Sequence, residues 1–163
     1  MTRKRRWLRI LLAAGAVFFA LVLYTVYDNQ RIVVRRETVF IENLPEAFNG
    51  FTILQLTDLH EKTFGRNQKR LLETIRRERF DLVAITGDMT QHSGSQNFQP
   101  FYDILDGLRN RAPILFVVGN TDPIVYAFWH DHKKTPFYTG MEGRGGRLLE
   151  SVFLIEKGDD RLW

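Results

Sequence analysis

The 163-residue sequence contains no cysteine. Disulfide frameworks, zinc ribbons held by thiolates and thiol nucleophiles are therefore excluded. No predicted strand is followed by a G-x-G-x-x-G or G-x-x-x-x-G-K-[ST] loop, which disfavours a doubly wound nucleotide-binding domain. Internal repeats and low-complexity tracts are also missing. With 44% hydrophobic and 26% charged residues, the composition predicts one folded domain with a packed core.

Acidic residues are missing from the start of the chain, where none precedes Asp28. Five cations occupy the same region: Arg3, Lys4, Arg5, Arg6 and Arg9. Without these five, 18 Lys and Arg remain against 19 Asp and Glu. The formal charge of +4 therefore describes a basic leader, and no nucleic-acid partner is predicted for the body.

An uncharged run from Ile10 to Tyr27 follows the leader. As a helix it would be roughly 27 Å long, close to the thickness of the hydrocarbon core. We interpret residues 1–28 as a leader and one transmembrane signal-anchor helix. A cleaved signal peptide is the alternative, but the end of the run lacks an A-x-A pattern, and a buried core helix is disfavoured because no polar stripe interrupts it. The cations predict a cytoplasmic amino terminus and an extracytoplasmic body in the cell membrane.

Residues 29–163 show the pattern of an α/β body. Apolar runs predict strands at four places: Ile32–Ile41 at a sheet edge, Phe51–Thr57, Leu82–Thr86 and Ile114–Val118. Helical spacing of apolar residues predicts helices at Asn67–Arg79 and Phe98–Leu108. Strands that alternate with helices imply parallel pairing through right-handed crossovers. Continuous apolar strands are typical of a sheet covered on both faces.

The region after Gly119 predicts three further features. A helix is expected to start at Pro123 and run past Trp129, and the glycines between Gly140 and Gly146 indicate a flexible stretch. Residues Val152–Trp163 read as a hairpin with its turn at Gly158-Asp159-Asp160. Because the last predicted strand stops at Trp163 and would leave an unprotected edge, we expect a fragment or a truncated product.

Polar side chains follow three of the predicted strands. Asp58 and His60 come after the first internal strand, Asp88 after the second and Asn120 after the third. Because the carboxyl ends of parallel strands meet at one edge of the sheet, these side chains should gather there. Carboxylate, imidazole and amide groups suit hard-to-borderline metal ions, and a carboxylate such as Asp88 can bridge two ions. The glycines before Asp88 and Asn120 are expected to allow the sharp turns.

The same residues resemble the signature of the calcineurin-like metallophosphoesterase family, namely D-x-H, G-D and G-N-H-D/E. The chain has D-L-H at 58–60, G-D at 87–88 and G-N-T-D at 119–122. The flanking sequence, including Gly50–Leu56, is similar to the membrane-anchored bacterial branch. The resemblance implies the amino-terminal part of a metallophosphoesterase β-sandwich flanked by helices and preceded by one transmembrane helix.

The resemblance also implies a dinuclear centre with two divalent ions, Mn, Fe or Zn. Asp58 and His60 would hold one ion, Asp88 would bridge both and Asn120 would hold the second. A hydroxide between the ions would attack a phosphodiester or a diphosphate. The implied catalytic residues are Asp88, Asn120, Thr121 and Asp122. The ligand set is incomplete because the family's later histidines do not occur before Trp163, and His130 and His132 read instead as a solvated helix face.

Thr121 occupies the position of the family histidine that acts on the leaving group, and a threonine hydroxyl is not a general acid near neutral pH. A plain helix start at Thr121-Asp122-Pro123 is the alternative interpretation. Two functions therefore stay open. One is a membrane-tethered phosphoesterase acting on a phosphorylated small molecule or a lipid diphosphate, with the fragment alone inactive. The other is an inactive, membrane-tethered remnant or binding module.

Overall fold

The computed structural model describes residues 3–127 and 132–162. The chain divides into two units, Met1–Glu37 and Thr38–Trp163. The first unit contains one helix, α1, which spans Arg3–Asn29. This helix includes the whole predicted apolar run, and it is long and apolar enough to cross a membrane, by length and composition.

Residues 31–41 form neither a strand nor a helix, so the predicted edge strand at Ile32–Ile41 is wrong. Val39 and Phe40 are exposed, the latter by 93%. Branched and aromatic residues favour a strand only where a neighbour pairs with it. Within the described residues, the four-stranded sheet begins at a later strand and supplies no such neighbour.

The second unit is built on a parallel sheet with the order β1-β2-β3-β4. Its strands are β1 Ile53–Leu56, β2 Leu82–Ile85, β3 Ile114–Phe116 and β4 Gly146–Leu148. All three pairs are parallel. The predicted α/β class and parallel pairing of the three internal strands are confirmed. The fourth strand lies where a flexible stretch was expected.

Three helices connect the strands: α2 Lys69–Ile75, α3 Gln99–Leu108 and α4 Pro136–Glu142. A 3₁₀ turn, Arg66–Gln68, precedes α2. The helices contact one another in chain order, α2 with α3 and α3 with α4. Four fully buried aromatic residues join α3, α4 and β3: Phe101, Phe116, Phe137 and Tyr138. This cluster forms the centre of the core.

The helix predicted from Pro123 past Trp129 is wrong in its described part. Residues 123–127 contain no helix, and Tyr126 makes an antiparallel bridge with Lys134. Helix α4 instead begins at Pro136, which supplies the same proline signal at a first helical position. Ile124 is exposed, so the earlier segment buries no continuous apolar face. Trp129 lies outside the described residues.

A two-stranded antiparallel hairpin completes the described body, with β5 Ile155–Lys157 and β6 Asp160–Leu162. Gly158 and Asp159 form its turn, so the predicted hairpin is confirmed with Asp160 already inside the strand. The Asp160 carboxylate accepts a hydrogen bond of 3.0 Å from the backbone N–H of Ala47. This bond joins the hairpin to the 3₁₀ turn Glu46–Phe48.

Candidate metal centre

The loops after β1 and β2 run side by side at the carboxyl edge of the sheet. The backbone N–H of Asp58 donates to the carbonyl of Gly87 at 3.2 Å, and that of His60 donates to the carbonyl of Asp88 at 3.0 Å. These bonds continue the strand pairing beyond the ends of the strands. They bring the predicted ligands Asp58, His60 and Asp88 to the same edge.

The three side chains form a group that could hold a metal ion. One ligand atom from each of Asp58, His60 and Asp88 lies within 4.8 Å of the other two. His60 Nδ1 lies 3.2 Å from the carbonyl oxygen of Thr90, and Nε2 lies 3.6 Å from Asp58 Oδ1. An N–H at Nδ1 fixes the ring and leaves the Nε2 lone pair facing the carboxylate, the arrangement typical of metal-binding histidines. The donor set therefore fits a divalent cation.

The ligands lie on unusual backbone. Asp58, His60 and Asp88 have φ values of +53°, +46° and +59°, all in the left-handed region. Asp and His visit this region more readily than most residues, although it costs energy. Turning the chain sharply directly after each strand keeps these side chains at the sheet edge. Sequence analysis predicted such turns at the glycines but not at the ligands themselves.

Two glycines allow the loops after β2 and β3 to touch. A Cβ on Gly87 would lie 2.4 Å from the backbone nitrogen of Gly119. A Cβ on Gly119 would lie 2.2 Å from Asp88 Oδ1 and 2.3 Å from its backbone nitrogen. Neither position can hold a larger residue without moving backbone. The predicted steric need for glycine before Asp88 and Asn120 is confirmed.

Asp122 is buried, and its carboxylate fastens the two loops together. Oδ2 accepts hydrogen bonds of 2.9 Å from the backbone N–H groups of Asp88 and Gly119. Oδ1 accepts one of 2.8 Å from Met89 and a longer one of 3.3 Å from Thr90. Backbone bonds of this kind to a buried carboxylate are strong. Asp122 thus faces backbone amides, and its observed contacts position the ligand loop.

Thr121 lies against Asp88 and is not a helix start. Its backbone N–H donates to Asp88 Oδ1 at 2.9 Å. Its hydroxyl oxygen is 3.0 Å from the same atom and 2.7 Å from the carbonyl of Thr90. The single hydroxyl proton can serve only one of these acceptors at a time. The side chain therefore holds a proton next to the carboxylate that was predicted to bridge two ions.

The pKa of the Asp88 carboxyl is held below its ordinary value, chiefly by the backbone N–H of Thr121. Partial burial opposes this effect, while the Thr121 hydroxyl, the charge of His60 and the backbone N–H of Asn120 reinforce it. Hydrogen bonds to the charged form favour ionisation. Asp88 is thereby kept as a carboxylate, the form that binds a cation. Asn120 is exposed and lies on the loop after β3.

A family model described as calcineurin-like phosphoesterase matches residues 51–159, which is more than half of the chain and includes every predicted site residue. The chain belongs to the calcineurin-like phosphoesterase family. The matched region begins just before β1 and ends in the hairpin. The family resemblance drawn from the three motifs is thus confirmed.

The chain aligns with only part of each curated relative. The 3',5'-cyclic adenosine monophosphate phosphodiesterase CpdA of Escherichia coli (strain K12) is 31% identical over 124 residues, 66% of this chain and 44% of that protein. A transmembrane protein with metallophosphoesterase domain from Danio rerio is 31% identical over 84 residues, 50% of this chain and 19% of that protein. The chain therefore spans less than half the length of these relatives. No solved structure matches it.

Sequence analysis missed two residues that support the loops of the candidate metal centre. The carbonyl oxygen of Thr90 lies 3.2 Å from His60 Nδ1 and 2.7 Å from the Thr121 hydroxyl oxygen, and the Thr90 hydroxyl donates to the Thr121 carbonyl at 2.6 Å. Glu61 accepts from the backbone of Gln91 and the side chain of Asn97, both at 3.0 Å. Neither residue type signals metal chemistry by itself. Their role in joining the loops depends on hydrogen bonds that only the structure shows.

The other histidines of the chain lie outside the candidate metal centre. His92 is an exposed residue of the loop between β2 and α3. His132 lies edge-on to the ring of Tyr126, with centroids 5.6 Å apart. His130 is outside the described residues. The metal-competent group found in the described ranges contains His60 alone among the histidines.

We expect Gly119→Ala to disrupt the candidate metal centre, because its methyl group would overlap Asp88. Overpacking of this kind typically costs about 1–3 kcal/mol of unfolding free energy. Gly94→Ala is the matched control, since its Cβ would meet only ordinary contacts, the nearest being His92 Nδ1 at 3.5 Å. Denaturant unfolding of both variants measures the difference. Equal stabilities would show that the loops can separate without cost.

Proposed function

We propose that the intact protein is a metal-dependent phosphoesterase with its reaction centre at Asp58, His60, Asp88 and Asn120. The observation that carries the proposal is the convergence of one ligand atom from each of the first three residues, with His60 oriented by a backbone carbonyl. Asp58 is exposed, so a phosphorylated substrate can approach the edge from solvent.

Two divalent ions are proposed for the intact domain, and Mn, Fe and Zn suit this donor set. Asp58, His60 and Asp88 would hold the first ion, and Asp88 and Asn120 would hold the second. Bound ions would supply Lewis-acid activation of the phosphoryl group and of water. The chain contributes the rest: Asp122 positions the ligand loop, and the Asp88 carboxylate stays ionised.

The substrate class follows from Thr121 and from the relatives. CpdA is named as a phosphodiesterase for a cyclic nucleotide, which supports a phosphodiester substrate. Thr121 holds its proton between Asp88 and Thr90 and, as a hydroxyl, cannot donate it readily to an alkoxide. We therefore propose hydrolysis of diphosphates, including lipid diphosphates, or of phosphodiesters with good leaving groups.

Metal titration tests the centre directly. We expect Mn²⁺ to bind the 163-residue chain at one site, because three ligands converge on the first ion and only two on the second. Asp88→Asn should abolish this binding, since Asn tolerates the left-handed backbone but lacks the charge. Asp103→Asn is the control, because this half-buried carboxylate lies on α3, away from the candidate ligands, and accepts a side-chain bond of 2.7 Å from Gln99. Calorimetry measures the sites, and retained binding in Asp88→Asn would contradict the proposed centre.

Leaving-group dependence tests the role assigned to Thr121. General acid catalysis contributes roughly 10²- to 10⁴-fold, so Thr121→His should accelerate hydrolysis of alkyl phosphodiesters far more than that of diphosphates. Rates across a series of leaving-group pKa values, with Mn²⁺ added, measure the slopes for both enzymes. Identical slopes would mean that position 121 takes no part in leaving-group departure. If the full-length protein shows no metal-dependent hydrolysis, the alternative of an inactive tethered module is favoured.

We further propose that α1 is a single-pass membrane anchor with its amino terminus in the cytoplasm. Its length, its composition and the five cations in its first two turns support this topology. Protease added to intact cells should degrade the body and spare α1. Carbonate washing should leave the chain in the membrane. A fully protected body would contradict the orientation, and release by carbonate would contradict the anchor.

A further inference from the structure

The positive charge of the body is concentrated on one segment. Residues 66–79 contain six Lys or Arg and two acids. All six cations are exposed, and they define the α2 basic surface: Arg66, Lys69, Arg70, Arg76, Arg77 and Arg79. The rest of the unit Thr38–Trp163 contains nine Lys or Arg and 15 Asp or Glu. A local charge of +4 therefore stands against −6 in the remainder, and the unit is strongly polarised.

Part of this surface is concave. Arg66, Lys69 and Arg76 line a cavity of about 350 Å³ together with Asn67 and Leu72. Lys69 and Arg76, seven residues apart, lie on one side of α2, and Arg66 lines the same cavity from the turn before the helix. Lys69 Nζ has a contact with Glu73 Oε1 of 3.9 Å, at the limit of an ion pair. The cavity thus offers several positive groups to one negatively charged partner.

The short segment that joins α1 to the second unit indicates that the partner is the membrane. Eight residues, 30–37, separate the end of α1 from the second unit. Fully extended, they reach at most about 28 Å. A body on such a tether stays close to the bilayer that its anchor crosses. An anionic bilayer attracts cations and repels acids within a Debye length, roughly 10 Å at 0.1 M salt. Its field therefore orients a polarised body.

We propose that the α2 basic surface docks on anionic phospholipid headgroups of the membrane that holds α1. The inference rests on the anchor assigned under the proposed function and does not depend on phosphoesterase activity. Docking fixes which side of the body faces the bilayer. Because the 3₁₀ turn that begins this surface follows Glu61 by five residues, docking also sets the orientation of the metal edge relative to the headgroups.

The absence of native cysteine allows a single dye to be attached at a chosen residue. The full chain is reconstituted in nanodiscs of phosphatidylcholine with or without phosphatidylglycerol, with an energy acceptor on the lipid headgroups. Thr63→Cys places the donor at an exposed residue before α2, and Ser151→Cys places a reference donor between β4 and β5. We expect phosphatidylglycerol to increase energy transfer from position 63 more than from position 151.

Salt supplies a test that needs no further substitution. The Debye length falls from about 10 Å at 0.1 M to about 3 Å at 1 M, so the effect of phosphatidylglycerol should disappear at high salt.

A triple variant, Arg66→Gln, Lys69→Gln and Arg76→Gln, should lower the docked-to-undocked ratio about a hundredfold, at about fivefold for each cation. The charge-matched control, Arg109→Gln, Lys157→Gln and Arg161→Gln, should retain docking.

Three results would overturn the proposal. Equal transfer with and without phosphatidylglycerol would exclude lipid docking, and a response to added duplex DNA in its place would favour nucleic-acid binding. Equal losses in the two triple variants would show that net charge, and not this surface, is responsible. Failure of the chain to co-purify with nanodiscs would overturn the anchor and docking together, whereas loss of phosphoesterase activity alone would leave docking intact.

Discussion

The close approach of two loops at the carboxyl edge of the sheet is the constraint on which the site depends. Gly87 and Gly119 bring the backbones into contact, and the Asp122 carboxylate satisfies amides on both sides. A buried carboxylate is costly unless it is fully hydrogen-bonded, and here four backbone N–H groups solvate it. The same contact that compensates this charge also holds Asp88 in place beside Thr121.

The parallel sheet explains why residues that follow three different strands share one edge. Each strand ends at nearly the same level, because β1, β2 and β3 pair in register. The loops then continue the pairing through Asp58, His60 and Glu61. Side chains that lie tens of residues apart are thereby fixed by backbone bonds and not by long flexible rotamers. Such preorganisation suits a centre whose ligands must meet within a few ångströms.

Sequence patterns predicted the internal strands and the convergence of Asp58, His60 and Asp88 at one sheet edge, because both depend on simple periodicities. Leu82–Ile85 is wholly apolar, and the residues directly after it fall at the sheet edge by topology alone. The failures have physical causes. Residues 32–41 have strand propensity without a described partner, and Pro123 carries a helix-start signal that is satisfied only at Pro136. β4 consists of Gly146, Arg147 and Leu148, so it lacks the continuous apolar run by which the other internal strands were predicted.

The roles of Thr90, Glu61 and Asp122 could not be predicted, because they depend on contacts between loops that no local pattern encodes. A G-N-T-D tetrapeptide reads equally well as a turn or a helix cap. Only the three-dimensional structure shows the Asp122 side chain directed at the amides of Met89 and Gly119. The candidate ligands of this site can be predicted from the sequence, whereas the contacts that position them cannot.

The left-handed backbone at Asp58, His60 and Asp88 bears on how such a motif changes over evolutionary time. β-Branched residues are strongly disfavoured at such φ values, whatever chemistry is required of the position. A descendant that had lost its reaction would still tend to retain Asp, Asn, His or Gly there. The presence of the motif in a sequence therefore indicates the backbone conformation of these loops. Catalysis has to be inferred separately, from the positions of the ligand atoms.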